Sequence, residues 1–153
     1  SQAEKSLDLP VLITIAASFA LGAALQKTGV AGLLAENIVL LSGGKPWLLL
    51  VLTYAVVSLL TETITNNAAA VIMVPIILAI TEQAGLNPEP FMFAVMMAAS
   101  ASFATPLGYQ TNLMVYGPGG YRFADFIRAG LPMNLVVGIS TVTVLLLGWP
   151  LVA

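Results

Sequence analysis

Long uncharged apolar stretches separated by short polar clusters set the pattern of this chain. Charges fall only at residues 4, 5, 8, 27, 36, 45, 62, 82, 89, 122, 125 and 128, which leaves 9–26, 46–61, 63–81, 90–121 and 129–153 without one. Each run approaches or exceeds the roughly 20 apolar residues that cross a bilayer as a helix. The first opens at Pro10 and is rich in small residues (Ala16, Ala17, Ser18, Ala20, Gly22, Ala23, Ala24), and it predicts a transmembrane helix over 11–28. Over 30–42 the period changes. Leu33, Leu34, Ile38 and Leu41 take one helical face and Glu36 and Asn37 the other, which predicts an interfacial helix. Gly43, Gly44, Lys45 and Pro46 then signal a turn, and Trp47 stands where an interfacial anchor would.

The next apolar arm, 47–60, would be about 21 Å long as a helix, short of the ~30 Å hydrocarbon thickness. The polar run 61–67 follows, then a second arm over 68–80 and a breaker-rich loop at 82–90. Two short arms around a polar tip predict a re-entrant hairpin over 47–82, its tip at Thr65, Asn66 and Asn67. A further short apolar helix, 91–104, meets the polar and breaker-containing run 105–112 before apolar character resumes, so 90–118 reads as a broken transmembrane helix. Phe123, Phe126 and Ile127 against Arg122, Asp125 and Arg128 predict a second interfacial helix over 121–129. A final transmembrane helix is expected over 130–152, with Pro132 near its start and Trp149 near its far end.

Composition agrees with a chain that lives in a lipid bilayer. Of 153 residues 59% are hydrophobic and 8% charged, with a mean hydropathy of +0.98, whereas soluble domains carry about 25% charged residues. The fold class expected is an all-α membrane protein. No histidine or cysteine is present, which excludes disulfides, thiolate or imidazole metal sites and Ser-His or Cys-His catalysis. Glu62 and Asp125 are the only acids near the polar runs, with no nucleophile and base to partner them, so no enzyme is expected. A net charge of −2 argues against nucleic acid as a partner. Ser1 opens the chain without a start methionine or a basic leader. With about five membrane segments and no internal repeat, the chain reads as one half of a larger transporter built from two inverted repeats, the N-terminal half lying elsewhere.

The two polar interruptions carry the candidate chemistry. Non-helical chain at membrane depth is tolerated only where protein buries it or a water-filled cavity receives it, and paired interrupted segments point to a transporter's binding site. Thr65, Asn66 and Asn67 precede one apolar arm, and Thr111 and Asn112 precede another, so each cluster can cap a helix N-terminus. Such a terminus offers free N–H groups and about half a positive charge, which suits an anion. Threonine hydroxyls, asparagine amide oxygens and freed carbonyls are hard ligands for a small cation. No Lys or Arg lies within any uncharged run, so an anion bound there would be balanced by dipoles and a co-bound cation. That favours cation-coupled symport over an anion pore, which is more often lined by Arg or Lys. The plainer alternatives are an interfacial turn at 61–67 with Glu62 in headgroup water, and a Pro-kinked helix at 105–112. With them the chain would be a channel-like or structural membrane subunit without coupled transport.

Thr61-Glu62-x-x-Thr65-Asn66-Asn67-Ala68 followed by Pro75, then Phe103-Ala104-Thr105-Pro106, Thr111-Asn112, Val115-Tyr116-Gly117 and Asp125-Phe126-x-x-Ala129-Gly130-Leu131-Pro132-x-Asn134 together resemble the C-terminal repeat of the divalent anion:sodium symporters. These are the solute carrier family 13 type of permease in the ion transporter superfamily, and the resemblance covers nearly the whole chain. It implies a homodimer in the plasma (inner) membrane that moves sulfate or a di- or tricarboxylate with sodium as the coupling ion, and no other cofactor, by an elevator-type movement. In that family a Ser-Asn-Thr motif at each hairpin tip contacts sodium and substrate carboxylate. Here Asn66 carries over directly, with Thr65 and Asn67 as substitutions. Of the Thr-Pro-Pro-Asn of dicarboxylate members only Asn112 is retained, which is closer to the branch described as sulfate or general anion permeases. The residues expected to bind substrate or ion are Thr65, Asn66, Asn67, Thr105, Gly108, Gln110, Thr111 and Asn112, with sodium at Thr65, Asn66, Asn67, Thr111 and Asn112.

Overall fold

A computed structural model describes residues 27–152, together with Ala20 and Ala24. The transmembrane helix expected over 11–28 therefore lies almost wholly outside the described residues. Six helices follow in order: α1 (Val30–Ser42), α2 (Pro46–Thr61), α3 (Asn66–Ala84), α4 (Pro88–Ser100), α5 (Gln110–Tyr116) and α6 (Phe123–Gly148). Among the described residues the only β pairing is an isolated bridge between Leu86 and Val152, so the described fold is all-helical.

Local chemistry sets the boundaries. Gly29 and Gly43 flank α1 in the left-handed conformation, at φ 75° and 56°, and Gly44 continues the turn at φ 72°, a run that side-chain-bearing residues would enter only with strain. Pro46 opens α2, where its missing N–H costs nothing. Asn87 caps α4 by accepting from the Glu89 N–H at 3.1 Å and also donates its amide to the Pro150 carbonyl at 3.2 Å. The Asn87 N–H reaches the Leu151 carbonyl at 3.0 Å, so the chain's end is tied to the start of α4. Phe93 and Trp149 add a tilted ring contact there, with centroids 5.3 Å apart.

The core is the meeting of α2, α3 and α4. Leu49, Leu50, Tyr54 and Val57 on α2, Met73, Ile76, Ile77 and Ile80 on α3, and Phe91, Ala94, Val95, Ala98 and Ala99 on α4 form one buried cluster. Their spacing of three and four residues marks a single inward face on each helix. Alanines on α4 let α2 approach closely, while Phe91, fully buried, fills the space below them. Phe91→Ala is expected to cost about 3–5 kcal/mol of stability, measurable as a lowered unfolding midpoint; a change within about 0.5 kcal/mol would contradict this packing.

Among the described residues two helices are long and apolar enough to cross a membrane: α3, with 19 residues and mean hydropathy 1.6, and α6, with 26 residues and 1.9. Only 17% of the apolar window of α6 is buried, and Leu147 is 84% exposed, so this helix presents its apolar surface outward rather than serving as a core element. A face of that kind belongs against lipid or further protein. α2, at 16 residues, is about 24 Å long.

Three boundaries differ from those the sequence suggests. The amphipathic 121–129 and the apolar 130–152 form one helix from Phe123 to Gly148, with Pro132 inside it; proline removes a single backbone bond, and the helix continues through it. Asn66 and Asn67 belong to the first turn of α3 rather than to the turn before it. Likewise Gln110, Thr111 and Asn112 already lie in α5, and the non-helical segment runs over 101–109. That break starts early because the Phe103 and Ala104 N–H groups, which would continue α4, are drawn sideways to the Glu62 carboxylate.

Candidate functional site

The turn 62–65 between α2 and α3 and the non-helical segment 101–109 lie against one another, and Glu62 joins them. It is buried, 8% exposed, which corrects the alternative that left its side chain in headgroup water. Oε1 accepts from the N–H groups of Phe103 at 3.1 Å and Ala104 at 3.0 Å. The same oxygen takes the amide Nδ2 of Asn134, on α6, at 2.6 Å. One carboxylate thus ties the α2–α3 turn to the break and to the last helix.

Neighbouring groups repeat the connection. The Thr61 hydroxyl donates to the Ala99 carbonyl at 2.8 Å, and Ser102 donates to the Thr61 carbonyl at 3.1 Å. Thr105 donates its hydroxyl to the Glu62 carbonyl at 2.6 Å and accepts from the Gly108 N–H at 3.4 Å. Gly108 is buried against the same place: a Cβ there would run into Ser102 Oγ and the Thr61 carbonyl oxygen. Asn112 folds back from α5 to donate to the carbonyls of Ser102 at 3.0 Å and Thr105 at 3.1 Å. These bonds satisfy backbone groups that the non-helical segment leaves open, as burial demands.

The sequence-derived candidates separate into two groups. Thr105, Gly108 and Asn112 belong to the packed junction. Thr65, Asn66 and Asn67 stand at its margin: Thr65 is exposed and caps α3 by accepting from the Ala68 N–H at 3.4 Å, Asn66 accepts from the Asn67 N–H at 2.9 Å, and Asn67 is exposed. Thr111 is exposed as well. The capping expected of Thr111 and Asn112 is not made, since Tyr109 occupies the N-cap position of α5 without a side-chain cap bond, and the Asn112 amide turns to the break instead. Gln110 contributes its backbone to the start of α5.

Glu62, Asn134, Thr61 and Ser102 are the residues that sequence reasoning passed over as site members. A signal for the first existed, because an ionisable residue inside a membrane segment defaults to a functional role; its backbone donors, some forty positions away, leave no mark in a sequence. Beside Glu62 and Asn134 opens a cavity of about 540 Å³ between α2 and α6, whose walls include Tyr54, Leu131 and Leu135.

Comparison with known proteins gives this architecture a family. The citrate transporter family matches residues 1–152. An uncharacterized transporter of Synechocystis is 46% identical over 135 residues, 86% of this chain and 22% of the relative. Sodium/sulfate cotransporter 1 of Chlamydomonas reinhardtii is 39% identical over 136 residues, 88% of this chain and 15% of the relative. Human solute carrier family 13 member 4 is 27% identical over 146 residues, 95% of this chain and 23% of the relative. The chain spans about a quarter or less of the length of these relatives. With the match running over nearly its whole length, the chain belongs to the citrate transporter family, a family of integral membrane transporters and not of enzymes.

Proposed function

We propose that this chain is the C-terminal repeat of a sodium-coupled symporter for a divalent anion, sulfate or a di- or tricarboxylate. The observation that carries the reading is the junction of the α2–α3 turn with the broken segment 101–109 through Glu62, an arrangement in which two interrupted membrane segments share one polar locus. The relatives named as sodium/sulfate cotransporters favour sulfate as the anion and sodium as the driving ion.

In this reading the first turn of α3 faces the anion. Thr65 and Asn66 already occupy two of its N–H groups, and the Asn66 N–H and the exposed Asn67 amide remain for a ligand, reinforced by the helix dipole. Sodium is held by oxygens of Thr65, Asn66, Asn67, Thr111 and Asn112, and its charge lets an anion sit nearby without a basic side chain. Thr105, Gly108 and Gln110 shape the facing wall. The α2–α3 pair acts as a re-entrant hairpin, α4 and α5 as the two halves of one broken span, and the N-terminal half supplies an inverted equivalent. The whole works as a homodimer in the plasma membrane, its transport domain moving as an elevator.

The test is uptake of labelled sulfate and succinate by the full-length protein in proteoliposomes, with and without a sodium gradient. Sulfate uptake that requires sodium, and falls at least tenfold in both Asn66→Ala and Asn112→Ala, is expected. Flux without coupling to the sodium gradient would mean a channel, and undiminished uptake in both variants would move the site away from these loops.

A further inference from the structure

The cavity between α2 and α6 is an apolar groove with one polar end. Ala55, Ser58 and Gly138 place small side chains along it, while the larger Leu59, Leu135 and Ile139 that also line it are 72%, 59% and 67% exposed. Small positions among bulky ones make a channel into which the side-chain ridge of another helix packs. Along α2 the groove extends from Val51 to Glu62, about 17 Å by helical rise, or roughly three turns.

The end at Glu62 decides between lipid and protein as the occupant. Because a carboxylate only accepts, Asn134 turns its Nδ2 to Glu62 Oε1, and Asn134 Oδ1 is left with no hydrogen-bond partner. Asn134 lies about 9 Å along the helix from Arg128, the last charge on α6. It therefore stands in the uncharged run, where neither headgroups nor bulk water supply donors. An acyl chain would cover the leucines and leave that oxygen unpaired. A helix with a hydroxyl or amide side chain facing Asn134 would satisfy it, as polar residues do between helices in membranes. Helix α1 does not fill the groove, since it packs on α2 and α3 and, among the described residues, does not touch α6. This chain matches a quarter or less of each relative's length, and further segments of one polypeptide, being tethered, reach the groove at an effective concentration that a second copy does not match.

We propose that the groove seats an apolar membrane helix from the N-terminal half of the same polypeptide, one that carries a hydrogen-bond-donor side chain level with Asn134. The inference rests on the two-half reading above and not on the identity of the anion or of the coupling ion. The seated helix reaches the polar junction through Asn134, which is bonded to Glu62, and Glu62 holds the break.

The experiment puts p-benzoylphenylalanine in place of Leu59 or Leu135 in the full-length protein in proteoliposomes, irradiates, and identifies the adducts by mass spectrometry after digestion. Leu147, exposed on α6 and outside the groove, is the control position. Both groove positions are expected to capture one and the same apolar peptide of the N-terminal half, and Leu147 is not. Ala55→Trp gives an independent readout. Ala55 is exposed within this chain, so a tryptophan there finds room among these residues but collides with a helix in the groove. It is expected to lower the Tm of the full-length protein by several degrees, whereas Leu147→Trp leaves it unchanged; against lipid both would be neutral. The inference is overturned if the groove positions yield no adduct, lipid alone, or a peptide of these 153 residues from the same or a second copy, or if Ala55→Trp unfolds as wild type does. Uptake measured in parallel separates the two readings. Sodium-driven sulfate uptake by a protein whose groove captures only lipid would refute the seat alone, and a captured N-terminal peptide in a protein that carries neither sulfate nor succinate would refute the transport assignment alone.

Discussion

Replacing Glu62 with alanine is expected to destabilise the protein by roughly 3–5 kcal/mol and to abolish transport. The substitution removes the acceptor for the N–H groups of Phe103 and Ala104 and for the Asn134 amide, and each buried donor left alone costs about 1–3 kcal/mol. Relief of the buried charge and entry of water offset part of that sum, which sets the lower total. Loss of the carboxylate also frees the break from the α2–α3 turn, so the effect reaches function beyond what lowered stability explains. Glu62→Gln keeps one acceptor oxygen, and Glu62→Asp keeps the charge on a stem one methylene too short to reach both segments. The expected order of unfolding midpoints in the full-length protein, in the absence of alkali cations, is wild type and Gln first, Asp next and Ala last. An alanine variant that unfolds like wild type would mean that Glu62 is not the tie between these elements.

The helices were legible because their cause is local. Uncharged runs of sufficient length mark the apolar helices, Gly43, Gly44 and Pro46 mark the turn between α1 and α2, and Thr65 marks the start of α3. The meeting of the two polar runs was legible at the level of their composition, since a polar interruption in an apolar chain must be satisfied somewhere. What could not be read was the partner. The donors to Glu62 are backbone groups of Phe103 and Ala104, whose side chains say nothing of it, together with an asparagine 72 positions away. A charge within a polar cluster therefore looks solvated when the one-dimensional pattern is the only guide. The same blindness explains the displaced break: sequence places it at 105–112, but tertiary hydrogen bonds pull the chain out of helical geometry at Ala101. Continuity of α6 was hidden for the opposite reason, because a change from amphipathic to apolar character looks like a boundary although the backbone does not interrupt.

Gly130 supplies the second large effect, and its sign runs against helix propensity. It lies inside α6, where alanine normally gains about 1 kcal/mol over glycine. Here, however, α6 crosses the break so closely that a Cβ would strike the Phe103 carbonyl and come within 2.6 Å of the Ala104 Cα. Those atoms are backbone, and their own N–H groups are fixed to Glu62, so they cannot swing aside as a flexible side chain would. Gly130→Ala is therefore expected to destabilise by about 2–4 kcal/mol, as overpacking of a rigid contact does, and to lower transport by displacing Asn134, one turn further along the same helix, from its 2.6 Å bond to Glu62. Gly148→Ala is the internal control. It lies at the far end of α6 with nothing within 4 Å of the added methyl, and it should be neutral or slightly stabilising. Opposite signs for the two substitutions, read as unfolding midpoints of the full-length protein, would establish that contact with the break, and not helix propensity, is what requires glycine at 130; a stabilised Gly130→Ala would refute the close approach of α6 to the break.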